Sequence, residues 1–440
     1  MIEPISGFSK LTKEKKIAWL AGTYLKDAET SVDVLRNYWH ANEELQKLHD
    51  EFTENTLSNF YLPFGIAPNF LINGRYLAIP MAVEESSVIA AAGKAAKFWS
   101  TRGGFKATVK GTKKNGQVHF IYTGDPKKLN AFFDHVKPKL ITSVAELVKN
   151  MEKRGGGLLE MELMDKTSQL DHYYQLSCSF ETKDAMGANF INTCLEQLGD
   201  TFQKEARKFD VFSESEKQLQ VIMCILSNYV PGCVVRAEVS CPVEALSEKQ
   251  HENGREFAEK FIQGIRIAEV EPSRAVTHNK GIMNGIDALV LATGNDFRAV
   301  EAGVHAYAAK DGRYTSLTHA RIENGVFHYW IEIPLALGTI GGLTSLHPLA
   351  QVALEILQKP SARELMEITA VAGLAQNFAA VRSLVTTGIQ EGHMKMHLMN
   401  ILNQQHTSPA EKALVIDYFK THTVTHSAVM EVLQKIRNGH

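Results

Sequence analysis

Apolar residues recur at helical spacing over 12–22 and 28–50, where Val32, Leu35, Trp39 and Leu45 stand among charges, so the chain is expected to open with amphipathic helices. An extended stretch punctuated by Gly and Pro runs from Tyr61 to Pro80. Ser86 and Ser87 are good N-cap residues for the run VIAAAGKAAKFW, which puts Glu84 and Glu85 on the turn before a helix. Around 105–123 the period shortens to two β-rich runs, FKATVKGT and QVHFIYTG, and Lys114-Asn115-Gly116 between them predicts a hairpin. Helical segments over 126–137 and 142–152, strand-like LLEMELM and YYQLSCSFET, and a helix from about Ala185 to Phe209 follow.

Farther on, VVRAEVSC, the apolar run GIDALVLATG and a second Asn-Gly hairpin at Asn324-Gly325 predict more sheet with flanking helices. From Ser361 to His440 the pattern is almost wholly helical. Hairpins, helices and strands in this mixed order suit an α+β fold better than a parallel sheet. No internal repeat marks the chain.

At 440 residues, with 44% hydrophobic and 22% charged, the chain is long enough for two to four folding units and excludes a disordered or disulfide-built protein. Forty-seven Lys plus Arg against forty-nine Asp plus Glu give a net charge of −2, so no global field favours nucleic acid or an anionic membrane. An anionic ligand needs a local site. The five cysteines form no CxxC pair and are odd in number, which fits a reducing compartment. With charge at the N-terminus and no recognised apolar span of about 18 residues, a cytoplasmic protein without a membrane segment is expected.

Neither GxGxxG nor GxxxxGK[ST] occurs, so a nucleotide site must be built in another way. Asp184-Ala185-Met186-Gly187-Ala188-Asn189 follows a strand and opens a helix, a place where free N–H groups can hold a phosphate or amide; the structural alternative is a helix cap with a packing glycine. Thr277 to Gly285 packs Lys280 and amide side chains between glycines, and Gly294-Asn295-Asp296 adds a carboxylate after what reads as a buried strand. Either element alone reads as an ordinary loop. Gly338-Thr339-Ile340-Gly341-Gly342 permits close backbone approach, to a ligand or merely at a domain contact.

His393 and His397 stand at i and i+4, a spacing His422 and His426 repeat, but the Glu of HExxH and a third ligand are missing. A single histidine serving as proton donor fits better than a metal site. Glu84 and Glu85, being adjacent, cannot face one site together, and Glu85 is the one at the capping turn.

Six segments together resemble the hydroxymethylglutaryl-coenzyme A reductase family in its class II, bacterial form: GIAPNF (65–70), PMAVEESSVIAAA (80–92), DAMGAN (184–189), SRAVTHNKGIMNGIDALVLATGNDFRAVEAG (273–303), GTIGGLTSLHPLA (338–350) and LVTTGIQEGHMKMH (384–397). Two departures are visible: Glu54-Asn55-Thr56-Leu57-Ser58 where the family has ENVIG, and Glu84-Glu85-Ser86-Ser87 where it has Glu-Glu-Pro-Ser.

The resemblance implies a large mixed α/β substrate domain (1–108 and 220–378) interrupted by a small ferredoxin-like, non-Rossmann dinucleotide-binding domain (109–219), with a helical C-terminal flap (379–440). It implies a catalytic set of Glu85, Lys280, Asp296 and His393, with Asp296 hydrogen-bonded to Lys280 and Glu85. Ser87, Arg274 and Asn284 would contact the hydroxymethylglutaryl group, and Asp184, Met186, Gly187 and Asn189 would lie along the cofactor.

The implied reaction reduces the thioester to mevalonate and free coenzyme A with two NADPH or NADH, or runs in reverse, without a metal, in a homodimer or larger even assembly whose active site lies at the subunit interface. Lys153 and Arg154 lean the cofactor toward NADPH. The rivals are a metal-dependent hydrolase using His393 and His397, and a non-catalytic acyl-coenzyme A binding protein.

Overall fold

The computed structural model of the chain describes residues 3–247, 253–386, 398–399, 401–422 and 424–438. It divides into two compact units, Met1–Pro63 and Phe64–His440. In the first, helices α1 (Lys13–Tyr24), α2 (Ala28–Asn37) and α3 (Glu43–Glu51) each begin at a side-chain cap, Thr12, Asp27 and Asn42 respectively. The helix expected over 28–50 is interrupted at 38–42, where the Gln46 side chain accepts the His40 N–H at 2.6 Å.

The second unit opens with β1 (Phe64–Ile72) and β2 (Arg75–Ala82), an antiparallel pair turned by Asn73-Gly74 with φ of +48° and +81°. Then come α4 (Val88–Ser100), β3 (Lys106–Val109), β4 (Lys114–Ile121), α5 (Pro126–Ser143), α6 (Ala145–Glu152), β5 (Gly157–Asp165), β6 (Tyr173–Glu181), α7 (Ala188–Ala206), β7 (Gln220–Leu226) and β8 (Val234–Pro242). After α8 (Gly254–Val270), α9 (Pro272–Ala292) and α10 (Phe297–Ala308), strands β9 (Thr318–Glu323) and β10 (Val326–Pro334) meet at Asn324-Gly325, a hairpin as expected. Helices α11 (Leu343–Leu346), α12 (Pro348–Ile356) and α13 (Ala362–Val385) follow, and helices Pro409–Tyr418 and His426–Arg437 end the described chain.

The two larger sheets are antiparallel, ordered β3-β8-β10-β9 and β5-β6-β4-β7. The second is built by the run β4-α5-α6-β5-β6-α7-β7, a split β-α-β arrangement with its own core around Phe120, Phe132, Leu176 and Phe202. By sheet membership this inserted piece spans Lys114–Leu226, so β7 pairs inside it although the expected boundary at 219 would have put that strand in the large domain.

Two elements differ in kind from the sequence reading. The hairpin expected at Lys114-Asn115-Gly116 is absent: β3 pairs with β8, β4 pairs with β6 and β7, and Asn115-Gly116 lies within β4. Gly116 is there for space, since a Cβ would stand 2.5 Å from Leu195 Cδ1 and 3.1 Å from Ile225 O. GIDALVLATG is no strand either; it forms the second half of α9, a helix buried on several faces, so that its apolar run loses the helical stripe.

The main core gathers around α9 and α13. Phe378 meets Trp99 at 5.1 Å and Phe261 at 5.4 Å between ring centroids, and Phe261 meets Tyr329 at 5.1 Å. α13 has 24 residues and a mean hydropathy of 1.3 over an 18-residue window, so among the described residues one segment is long and apolar enough to cross a membrane, contrary to the expectation. Its apolar character has a structural cause: 67% of that window is buried inside the protein.

α9 and α13 cross closely at glycines. A Cβ on Gly285 would lie 2.6 Å from Ala372 O, and one on Gly373 would lie 2.8 Å from Ile286 Cγ1. Gly285→Ala therefore pushes the two helices apart and is expected to destabilise the protein by about 1–3 kcal/mol, seen as a lower thermal midpoint. An unchanged midpoint would show that the crossing can give way freely.

Candidate active site

β2 delivers the chain to Glu84 and Glu85, and the turn that enters α4 is closed by the Val88 N–H on Glu85 O at 3.4 Å. Glu84 faces solvent and Glu85 is half-buried. α9 begins at Pro272 with the Glu271 carboxylate accepting the Arg274 N–H at 2.7 Å. Two turns in, Lys280 Nζ donates to Glu85 Oε2 at 2.9 Å, and Asn284, one turn later on the same face, donates to that oxygen from Nδ2 at 3.4 Å. The lysine side chain is 63% exposed and the glutamate 35%. An ammonium, a carboxylate and an amide thus converge on a partly open surface, where they can polarise a carbonyl and hold a proton beside it.

Lys280 can point there because the opposite face of α9 is pegged. Asn279 Nδ2 donates to Thr315 O at 2.9 Å, and its Oδ1 accepts the Leu317 N–H at 3.1 Å. Asn377 of α13 donates to His278 O at 3.1 Å, while its Oδ1 accepts from Tyr329 at 2.5 Å and from Thr318 at 3.1 Å. Since the Thr318 hydroxyl gives its hydrogen to Asn377, the His278 Nε2 lying 2.6 Å away must be the donor in that contact. The bare Nδ1 is then the buried atom without a partner. Burial, with Arg274 and His319 nearby, pushes the His278 imidazole down to about 3, so it stays neutral.

The other expected residues are scattered. Ser87 takes the N-cap place of α4 but its hydroxyl makes no capping bond, and Arg274 sits half-buried in the first turn of α9. The bond expected from Asp296 to Lys280 and Glu85 is not made within the chain. Its Oδ1 caps α10 through the Arg298 and Ala299 N–H groups and pairs with Arg298 Nε at 3.3 Å. From Lys280 to the end of α9 is about 18 Å of helix at about 1.5 Å per residue, and Asn295 stays at that end through its N–H on Val290 O. His393 and His397 lie outside the described residues. His422 stacks on Tyr418 at 4.0 Å.

A second cluster forms at the start of α7. Asp184 Oδ1 accepts the Ala362 N–H at 2.8 Å at the head of α13, and Asp184 O accepts the Thr339 N–H at 2.8 Å. Ala185 bridges Ile340, and a Cβ on Gly338 would meet Met186 N at 2.4 Å, so the glycine-rich 338–342 turn serves a contact between backbones. Beneath it Lys114, buried and missed by the sequence reading as a turn residue, donates from Nζ to the carbonyls of Ala185 and Met186 at 2.9 Å each and to the Thr182 hydroxyl. Burial lowers its ammonium below the usual range. Gly187, at φ +89°, is an N-cap without a side-chain bond, so the first N–H groups of α7 carry no side-chain acceptor there, and Asn189 is exposed in that turn. This is a helix start suited to an anion.

The hydroxymethylglutaryl-coenzyme A reductase family model matches residues 14–398. The 3-hydroxy-3-methylglutaryl-coenzyme A reductase of Archaeoglobus fulgidus is 36% identical, over all of this chain and 96% of its own length, and a probable reductase of the same name from Borreliella burgdorferi is 33% identical over 88% of each. Among solved structures, the class II reductase from Streptococcus pneumoniae bound to NADPH in open conformations is similar with TM-score 0.71 and 35% identity, covering 87% of this chain and all of that one. Another structure of the Streptococcus pneumoniae reductase gives TM-score 0.72 and 33% identity over 98% of this chain.

The neutral histidine sets a pH dependence. In the unfolded chain it binds a proton near 6.5 and in the folded protein only near 3, so it removes stability as pH falls through that window. His278→Gln, whose Nε2 can keep the bond to Thr318, is expected to flatten the fall of the thermal midpoint between pH 6.5 and 4. Parallel melting curves for the two proteins would contradict this.

Proposed function

The chain belongs to the hydroxymethylglutaryl-coenzyme A reductase family, class II, and from that premise we propose that the Lys280, Glu85 and Asn284 cluster is where the thioester is reduced. The observation that carries the assignment is the 2.9 Å pair of Lys280 Nζ and Glu85 Oε2, reached across nearly two hundred residues of sequence and held from behind by a pegged helix.

The dinucleotide suits the inserted β4–β7 piece, read as a ferredoxin-like cofactor domain, at the start of α7, where uncapped N–H groups and Gly187 leave room for a phosphate. Met186 and Asn189 would lie along it. Asp184, whose carboxylate is already used at the head of α13, would shape the loop. When bound, the reduced nicotinamide supplies hydride, twice for the four-electron change. The NADPH held by the Streptococcus pneumoniae protein, together with the exposed Lys153 and Arg154, supports NADPH as the cofactor.

As negative charge grows on the carbonyl oxygen, the Lys280 ammonium offsets it. Glu85 holds and returns the proton that the aldehyde oxygen needs in the second reduction, and Asn284 keeps that carboxyl in place. His393, as an imidazolium, protonates the departing coenzyme A thiolate and so prevents its recapture. Ser87 and Arg274 would hold the hydroxymethylglutaryl carboxylate end. Residues 379–440 would act as the flap that excludes water.

Asp296 enters this set through a second copy of the chain. Because it caps the far end of the α9–α10 corner, a cytoplasmic homodimer with the site at its interface is the arrangement in which it meets Lys280.

Lys280→Ala is expected to lower kcat by about 10²–10³. Lys280→Ala and Asp296→Ala subunits, each inactive alone, should regain about a quarter of wild-type activity when refolded together at equal amounts, since hybrid dimers hold one intact site. No recovery would refute a shared site. His393→Gln should cripple thioester reduction and spare reduction of mevaldehyde; equal losses in both would remove the histidine from the leaving-group role.

A further inference from the structure

Lys114 opens β4, and the residue is 5% exposed. A buried ammonium is costly unless each of its N–H groups finds an acceptor. Here all three acceptors come from the one turn that leads into α7: the Thr182 hydroxyl, Ala185 O at 2.9 Å and Met186 O at 2.9 Å. The Thr182 hydroxyl in turn donates to Ala185 O at 2.7 Å, which closes the turn on itself. Glu181, the carboxylate that bears on this ammonium, is taken up by the Thr112 hydroxyl at 2.5 Å and the Lys183 N–H at 2.8 Å. Among the described residues the charge is therefore held by dipoles and not by an ion pair.

The bonds give the turn a direction. In a trans peptide the N–H points away from the C=O, so holding Met186 O toward Lys114 turns the Gly187 N–H to the other side, at the open start of α7. Gly187 takes φ +89°, and a left-handed residue in such a turn lets successive N–H groups gather into an anion-binding concavity. The other end of the turn is tied to the large domain, where Asp184 O accepts the Thr339 N–H and Asp184 Oδ1 the Ala362 N–H, each at 2.8 Å. Lys114 ties it to the inserted sheet.

We propose that Lys114 is a positioning residue for the dinucleotide: by fixing the carbonyls of Ala185 and Met186 it aims the start of α7 at a phosphate and sets a permanent positive charge behind it. The charge adds to the positive end of the helix. An apolar residue at 114 would spare the burial of an ammonium but would leave the turn without its donor. The role rests on the placement of the cofactor at α7, so the test separates that placement from the lysine.

On the full-length protein, NADPH binding is titrated by nucleotide fluorescence, and KM is measured for NADPH and for hydroxymethylglutaryl-coenzyme A. Lys114→Met should weaken NADPH binding about tenfold or more, the loss of donors to a charged group's partners, and leave the thioester KM within about twofold. Lys114→Arg should restore binding to within about threefold, because the guanidinium keeps the charge and the donors. It has room in a cavity of about 220 Å³ lined by Thr112, Glu181, Cys233 and Arg363. Equal weakening toward both substrates, or no rescue by arginine, would overturn the positioning role.

Gly187→Val marks the site itself, since a Cβ there would stand 2.4 Å from Thr182 Cγ2. If it loses NADPH while Lys114→Met binds as wild type does, the site stands and the lysine has no part in it. If both variants bind NADPH as wild type does, the cofactor lies elsewhere and the reading of the site fails as well. Should Lys114→Met not fold, Thr182→Val replaces it: loss of the hydroxyl that anchors the ammonium should weaken NADPH binding about threefold or more, and an unchanged affinity would refute the proposal.

Discussion

The Lys280–Glu85 pair exists because α9 is held at one rotation about its own axis, and that rotation is set on the side of the helix facing away from the glutamate. Asn279 reaches the Thr315–Leu317 backbone, and His278 is held between Thr318 and Asn377. A turn of about 100° separates neighbouring residues on a helix, so pegs at 278 and 279 leave 280 no choice of direction. The glycines at 285 and 373 complete the constraint by letting the two helices approach until rotation meets backbone. Polar pegs in an apolar core are directional where apolar packing is not.

α13 serves both halves of the proposed site. Near its middle Asn377 pegs the helix that carries Lys280, and at its head the Ala362 N–H donates to the carboxylate of Asp184, which opens the loop into α7. The loop is then tied again through Thr339 and Ile340, and from below by the Lys114 ammonium on two carbonyls. With the cofactor placed at α7 as proposed, the hydride donor and the Lys280 ammonium on α9 would thereby be referred to one rigid rod. Its burial explains why α13 is apolar enough to pass for a membrane segment.

The chemistry-bearing runs were legible because Lys280, Asn284 and Glu85 lie in long segments whose order identifies the family. The fold was less so. Asn115-Gly116 carries a strong hairpin signal, yet Gly116 answers to the approach of Leu195 and Ile225, partners that lie far along the chain and are invisible locally. GIDALVLATG misled for a related reason: a helix enclosed on several faces has no polar side to betray its period. The lone acid in that run, Asp287, was the available clue, since its spacing of four and three from Lys280 through Asn284 is helical. Asp296 was expected to bond Lys280 and Glu85 but caps α10 instead, because closeness in sequence does not carry a side chain back along about 18 Å of helix.

The exposure of the central pair decides what else the reaction requires. An ion pair with a lysine 63% exposed is worth roughly 0–1 kcal/mol in water, whereas a fixed donor facing a developing oxyanion contributes about 2.7–4 kcal/mol. The difference is dielectric: the same ammonium acts several times more strongly once water is removed from around it. Lys280 therefore reaches its catalytic strength only when the open stripe of α9 is covered. Substrate and, in the proposed dimer, a second copy of the chain are the bodies that would cover it. The pegs behind α9 matter most at that moment, for a lysine already aimed at Glu85 needs no reorganisation as the water leaves.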